Sequence, residues 1–264
     1  MNKNYFESYE QILKEILLNG ENISTRGLVT RELINITIRI DSLHTIFHSI
    51  TVRPYNQVKK YLLGELCWYF SGSKNVNEII KYSKFWDKLK DDENKVNSNY
   101  GYLVFYKENK YELTQYNWCK KTLEQDVNSR QAIIMYNQPE YFYKENKDFI
   151  CAQLQHFFIR DNKLSSIIYI RSSDAILGLT YDIPWFSLVQ QYLCLELNMK
   201  YDKLMNGNLT VNIGSSHIYE NKIALVKSML SNGIEKEVLL LKKVIPLFNS
   251  QKWYEDNLLQ YVIL

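Results

Sequence analysis

The sequence predicts an α+β fold, and three observations lead there. Apolar residues recur at helical spacing in some segments and alternate in others. The order of these segments has no regular strand–helix–strand repeat of the kind that builds a parallel sheet. The clearest strands, Ile150–Ile159 and Leu164–Arg171, flank a tight turn at Asp161-Asn162-Lys163, which pairs them antiparallel.

The elements follow in order. Ile12, Leu13, Ile16 and Leu17 share one helical face and predict a helix over 5–18, stopped by Asn19-Gly20. Leu33, Ile34, Ile36, Ile38 and Ile40 predict a strand over 33–40. Pro54 suits the first turn of a long helix over 55–70, closed by Ser71-Gly72. A shorter helix is expected at 75–82, a polar loop at 91–97 and a helix at 111–125. Ala132–Tyr136 reads as a strand. Pro184 is expected to open a helix reaching Asn198, Leu209–Ile213 to form a strand, and Tyr219–Leu230 a helix ended by Asn232-Gly233. No repeat, low-complexity segment or Pro/Gly/Ser-rich linker intervenes, so residues 1–264 are expected to form one domain.

Composition narrows the function. Hydrophobic residues make up 46%, with 21 Tyr and 11 Phe, enough for a sizeable core. Lys and Arg (32) nearly balance Asp and Glu (29), which argues for a discrete anion site and against a general nucleic-acid coat. Cys67, Cys119, Cys151 and Cys194 have no zinc-ligand spacing, and no metal is expected. No signal peptide or 18-residue apolar run is evident, so a reduced, cytoplasmic protein with no membrane partner is expected.

The most informative stretch begins at Cys151. Arg171-Ser172-Ser173-Asp174 follows, then Leu177-Gly178, then Asp182. In residue type and spacing this segment resembles the catalytic segment of the thymidylate synthase family. The resemblance spans roughly residues 20–230. It implies that family's α+β fold, a mixed sheet flanked by helices, with sheets packed back to back in a homodimer. It implies Cys151 as a nucleophile that adds to C6 of a pyrimidine ring and so activates C5. Neighbouring arginines are expected to lower the thiol pKa.

Other matches supply the rest of a site. Arg171 and Ser172 resemble the family's phosphate ligands, since a guanidinium offers a planar fork to phosphate oxygens. Arg26, in Thr25-Arg26-Gly27, resembles an amino-terminal phosphate ligand, with Arg31 a competitor. Asn128-Ser129-Arg130-Gln131 resembles a Ser-Arg-Arg segment that reaches the partner subunit's phosphate; Gln131 replaces the second arginine. Glu65 resembles a catalytic glutamate that organises water and relays protons. Tyr100 lies in Asn97-Ser98-Asn99-Tyr100-Gly101, a loop resembling one that holds a tyrosine near the nucleophile. Trp86, Asp174, Leu177 and Gly178 resemble the positions lining the folate site, implying 5,10-methylenetetrahydrofolate as cofactor. His217 and Tyr219, in Gly214-Ser215-Ser216-His217-Ile218-Tyr219, resemble residues that bond the ribose 3′-hydroxyl, although Ser215 stands where the family has Asp.

Asp182 bears on the base. The family's synthases have Asn here, matching the N3–H and O4 of uracil. A carboxylate instead accepts from the N4 amino group of cytosine, and from N3–H once the ring is protonated. That pattern resembles the cytidylate hydroxymethylase branch. Ala152 where synthases have His, and a chain ending soon after Trp253, at Val262-Ile263-Leu264, speak against an ordinary synthase, and His156 stands where synthases have Gln. The implied substrate is CMP or dCMP, for modified DNA or nucleoside antibiotics. A dUMP-methylating synthase and a non-catalytic nucleotide- or RNA-binding relic are the alternatives.

Overall fold

The computed structural model describes residues 5–40, 45–48, 55–233 and 236–239. In chain order the elements are α1 (Tyr5–Asn19), β1 (Glu21–Thr25), β2 (Leu28–Ile40), β3 (Thr45–His48), α2 (Tyr55–Ser71), α3 (Asn77–Ile80), α4 (Gln115–Gln125), β4 (Ile133–Met135), β5 (Ala152–Arg160), β6 (Lys163–Asp174), α5 (Leu179–Leu197), β7 (Met205–Tyr219), α6 (Ile223–Asn232) and β8 (Lys236–Leu239). Six strands form a mixed sheet in the order β1-β2-β7-β6-β5-β4. Only β6 and β7 run parallel. β3 and β8 pair separately. The class is α+β, as expected. Pro54, Trp253 and residues 262–264 lie outside the described residues. Among the described residues no helix is long and apolar enough to cross a membrane.

α5 is the central helix of the core. Leu179, Ile183, Trp185, Phe186, Val189 and Leu193 are all buried. Buried amides tie it to the sheet: Gln155 Nε2 donates to Ser166 Oγ (3.1 Å) and to the Phe186 carbonyl (3.1 Å), and Ser166 Oγ donates to Gln190 Oε1 (2.6 Å). Each polar group buried here has a partner, which avoids the desolvation cost of an orphan. α1 lays Tyr9, Leu13 and Ile16 into the same core, and Arg31 Nη1 donates to the Leu17 carbonyl near its carboxy end (2.7 Å).

One irregular row positions the site. Arg171 on β6 lies between Ile170 and Ser172, which pair with Ile213 and Ser215, so Gly214 is its neighbour. Asn35 on β2 lies beyond Gly214 at φ +61°, and the Arg171 N–H donates to the Cys151 carbonyl (2.9 Å). A bulge follows between Ala152 and Leu154. Along this row the inward-facing set changes parity. In β7 the buried residues are Leu209, Val211 and Ile213 before it, then Ser216 and Ile218 after it. In β6 they are Leu164, Ser166, Ile168 and Ile170, then Ser173. Side-chain alternation has period two, so one irregular residue flips the face. Ser172, Asp174, Ser215, His217 and Tyr219 therefore stand on the face that is not core. A Cβ on Gly214 would lie 2.7 Å from the Arg171 carbonyl oxygen, so the row is built for glycine there.

Several boundaries differ from the sequence expectation. The strand expected at 33–40 begins at Leu28 and is half of a hairpin with β1; Arg26 (φ +51°) and Gly27 (φ +78°) form its two-residue turn. The helix expected from 111 begins after Thr114, whose hydroxyl accepts from the Asn117 N–H (3.2 Å) and caps it. The helix expected to open at Pro184 begins five residues earlier, because the Asp174–Gly178 turn already directs the chain into it; Pro184 lies inside. Tyr219 remains in β7, paired with Thr30, and the helix beyond starts at Ile223.

Candidate active site

Cys151 sits just before β5, half-buried, where the irregular row ends. Four charged groups act on its thiol. Burial has the largest effect and pushes its pKa up, Arg171 and then Arg26 pull it down, and Asp182 and Asp148 push it up. The arginines do lower this pKa, as expected, but desolvation outweighs them and the thiol is raised overall. Arg171 is also partly committed, since Nη2 donates to the Phe149 carbonyl (2.6 Å) and Nε to the Ile150 carbonyl (3.1 Å). The guanidinium braces the segment entering Cys151 and keeps donors to spare.

Tyr100 comes from a loop held on two sides. Asn99 Nδ2 donates to the Trp68 (2.9 Å) and Ser73 (2.8 Å) carbonyls at the end of α2, and its Oδ1 accepts from the Tyr102 N–H (2.8 Å). Gly101 abuts that helix so closely that a Cβ would fall 1.6 Å from the Tyr69 oxygen. On the other side Asp148 Oδ2 accepts from the Asn97 (2.6 Å) and Ser98 (2.7 Å) N–H groups. The Tyr100 ring stacks on Tyr69 with centroids 5.2 Å apart. Its hydroxyl receives a hydrogen bond from the Ala152 N–H and feels the charges of Asp182 and Cys151.

Glu65 is buried and feels the charge of Asp182, which is partly buried. Glu65, on α2, accepts from Tyr61 Oη (2.5 Å), which accepts from Trp86 Nε1 (3.0 Å). Burial raises the Glu65 carboxyl to about 8; the Tyr61 bond opposes this and the nearby Asp182 adds to it. Asp182, in the first turn of α5, keeps little exposed surface, and burial raises it to about 7. The Asp182 N–H donates to the Gly178 carbonyl (3.1 Å), in the first turn of α5.

The strands supply the remaining groups. Across three neighbouring strands Asp174, His217 and Glu32 are in register, a carboxyl on either side of the imidazole. Burial lowers the His217 pKa, while Asp174, Glu32 and the Ser215 carbonyl oppose that. The Ser215 hydroxyl donates to Glu32 Oε1. Tyr219 feels the charges of Asp174, Arg26 and Cys151, which places the hairpin tip beside the thiol. Arg26 is thus brought to the site, whereas Arg31 is spent on the end of α1.

A model of the thymidylate synthase family matches residues 7–255. The chain belongs to the thymidylate synthase family. It is similar to the deoxycytidylate 5-hydroxymethyltransferases of Enterobacteria phages T2, T4 and T6, each at 30% identity. The T2 match spans 191 residues, 70% of this chain and 75% of the relative; the T4 match spans 181, 66% and 72%. The chain is therefore a one-carbon transferase, and the family implies a pyrimidine nucleotide substrate and a folate cosubstrate.

The residues expected to line a folate site lie in two places, Trp86 against α2 and Asp174, Leu177 and Gly178 at the turn into α5. Asp174 Oδ1 is fixed by the Ile176 (2.8 Å) and Leu177 (3.1 Å) N–H groups, which aims the second oxygen. Half-buried Leu177 offers an apolar edge, and a Cβ on Gly178 would crowd the Asp174 carbonyl at 3.0 Å. Trp86 is 5% exposed, packed edge-on against Trp68, so it presents only a rim.

Arg130, expected at the partner subunit's phosphate, lies away from Cys151 along β5 in its own chain. It is exposed, in the turn before β4, and its carbonyl lies 2.9 Å from His156 Nε2. His156 is five residues along β5 from Cys151, ~17 Å at strand rise. Glu32, Tyr61 and Asp148 join the cluster without having been singled out in the sequence. Only Asp148 left a trace there, as an acid three residues before the cysteine.

Proposed function

We propose that this chain is a cytidylate 5-hydroxymethyltransferase. What supports the reading is an acid at position 182 in the first turn of α5, raised by burial and near enough for its charge to raise the Cys151 thiol pKa. An acid raised to about 7 changes state near neutral pH. Protonated, it donates to N3 of cytosine; once Cys151 adds to C6 and N3 takes that proton, the carboxylate accepts from N3–H and N4–H. The interaction is strongest in the adduct, where it lowers the barrier.

The other residues fall into a sequence of steps. Arg171, Ser172 and Arg26 hold the phosphate, and His217 and Tyr219 the sugar. The thiolate of Cys151 forms the S–C6 bond, and C5 becomes nucleophilic. Trp86, Asp174, Leu177 and Gly178 would hold 5,10-methylenetetrahydrofolate, which would supply C5 with a one-carbon unit at the oxidation level of formaldehyde, the new C5–carbon bond replacing that carbon's bonds to the folate nitrogens. Tyr100 relays the C5 proton to water, its hydroxyl giving up its own proton as it takes this one. Glu65 organises the water that adds to the exocyclic methylene on C5. The S–C6 bond then breaks and restores the aromatic ring. No hydride moves, so tetrahydrofolate is the folate product.

The active unit in this reading is a homodimer. Beyond the irregular row the outward face of the sheet carries exposed Tyr169 and Met135, and the 128–130 turn is pinned beside it by His156 and by Arg160, which donates to the Asn128 carbonyl (3.1 Å). Arg130 is thereby presented at the edge of a face that a second copy would cover.

The test is a product assay. CMP, dCMP, dUMP and UMP are each mixed with methylenetetrahydrofolate and the products weighed by mass spectrometry. A hydroxymethyl adduct on CMP or dCMP, without the absorbance rise of dihydrofolate, is expected, and it should vanish in Cys151→Ser. Methylation of dUMP with dihydrofolate formation would replace this reading by thymidylate synthesis.

A further inference from the structure

Asp148 is a buried carboxylate that the reaction steps above do not use. It lies three residues before Cys151 and is 6% exposed. Burial raises its pKa, opposed by its hydrogen bonds and by Lys74. Such a group is costly to bury without partners, and here its partners all come from one place. Oδ2 accepts from the Asn97 and Ser98 N–H groups at 2.6 and 2.7 Å, and Oδ1 accepts from the Ser98 hydroxyl. The strap is doubled: Asn97 Nδ2 donates to the Asp148 carbonyl (3.2 Å) and to Asn146 Oδ1 (3.3 Å), which in turn accepts from the Asp148 N–H (2.9 Å).

Asn97 and Ser98 lead directly into Tyr100, and Asp148 leads directly into Cys151. Asn99 and Gly101 pin the far side of the tyrosine loop to α2. Besides the Ala152 N–H that meets the Tyr100 hydroxyl, nothing else among the described hydrogen bonds joins this loop to the nucleophile segment. We propose that Asp148 is a positioning residue, whose carboxylate straps the Tyr100 loop to the segment entering Cys151 and so sets the placement of the tyrosine hydroxyl relative to the thiol. The proposal rests on the reading of Cys151 and Tyr100 as a reacting pair. An acid suits the position because all three groups facing it can donate.

The test compares Asp148→Ala, Asp148→Asn and Ser98→Ala in steady-state turnover and in alkylation of Cys151 by iodoacetamide across pH. Asn keeps two acceptor bonds, and the Ser98 hydroxyl can reverse to accept from its amide. Asp148→Asn should therefore hold kcat within about threefold of wild type, while Asp148→Ala loses roughly 100-fold in kcat with little change in nucleotide KM. Ser98→Ala should fall between them. Loss of the Asp148 charge should also move the alkylation profile of Asp148→Asn to lower pH, which packing alone would not do. Full turnover in Asp148→Ala, or equal losses in the Ala and Asn variants, would overturn the proposal. If Asp148→Ala fails to fold, Asp148→Asn and Ser98→Ala decide it: wild-type kcat in Ser98→Ala with an unmoved alkylation profile in Asp148→Asn refutes it. Alkylation needs no substrate, so a failure of the hydroxymethylation reading shows separately, as turnover that survives Cys151→Ser.

Discussion

At the scale of residues, Asp182 does two things that one substitution can separate. Asp182→Asn exchanges an acceptor-only group for one donor and one acceptor, the pattern of uracil. Cytidylate kcat/KM should fall steeply, by as much as ~10⁴, with a smaller gain in uridylate binding or C5 exchange. An unchanged ratio of the two kcat/KM values would leave Asp182 without a role in base choice. The same change alters stability with pH. The carboxyl titrates at its ordinary 3.8 when unfolded and near 7 when folded. Its contribution to stability is thus fully present below pH 3.8 and is lost as pH rises through 7. Glu65, Cys151, Tyr69, Tyr100 and Tyr136 surround it and remain in the variant. The Tm of Asp182→Asn minus that of wild type should grow between pH 5 and pH 8, at ~2–4 °C for each kcal/mol. A difference that is flat with pH would mean that the folded carboxyl is not held protonated.

At the scale of elements, two glycines separate close contact from backbone conformation. Gly101 has ordinary helical angles, but its absent side chain is where the Tyr69 backbone passes. Gly27 has φ +78° at the hairpin tip, with nothing within 4 Å of an added Cβ. Gly101→Ala must displace backbone and should cost more than ~2 kcal/mol in chemical denaturation, with loss of turnover as Tyr100 shifts. Gly27→Ala meets only left-handed strain and should cost ~1 kcal/mol. Equal costs would mean that the Tyr100 loop does not press on α2. Sequence pattern showed the core of most elements here because apolar spacing survives translation into structure. It missed the β1–β2 hairpin, since Glu21–Thr25 and Leu28–Glu32 carry few buried apolar residues and are held by backbone pairing instead.

At the scale of the whole molecule, the distance between Arg130 and Cys151 within one chain makes the dimer testable. Mixing Cys151→Ala with Arg130→Ala and allowing subunits to exchange should restore about a quarter of wild-type turnover, because half the dimers are mixed and each has one intact site. Two inactive pools that stay inactive after proven exchange would confine the site to one chain.

The sequence by itself determined the class of fold and the chemical inventory: the cysteine, the spaced Arg-Ser segment, the acid at 182, and the apolar stripes that bury α1 and α5. Those are local properties, readable because residue type and spacing set them. Tertiary structure alone decided which groups act together. The parity change through Asn35, Gly214, Arg171 and Cys151 turns His217 and Tyr219 away from the core, and no single strand shows it. Arg31 and Arg26 look alike in the sequence; only the packing of α1 against β2 takes Arg31 away and leaves Arg26 at the hairpin tip. The charge states follow the same rule. The arginines near Cys151 lower the thiol pKa as the sequence suggested, but desolvation, which sums over every neighbour that excludes water, raises it further, and that sum exists only in the folded chain.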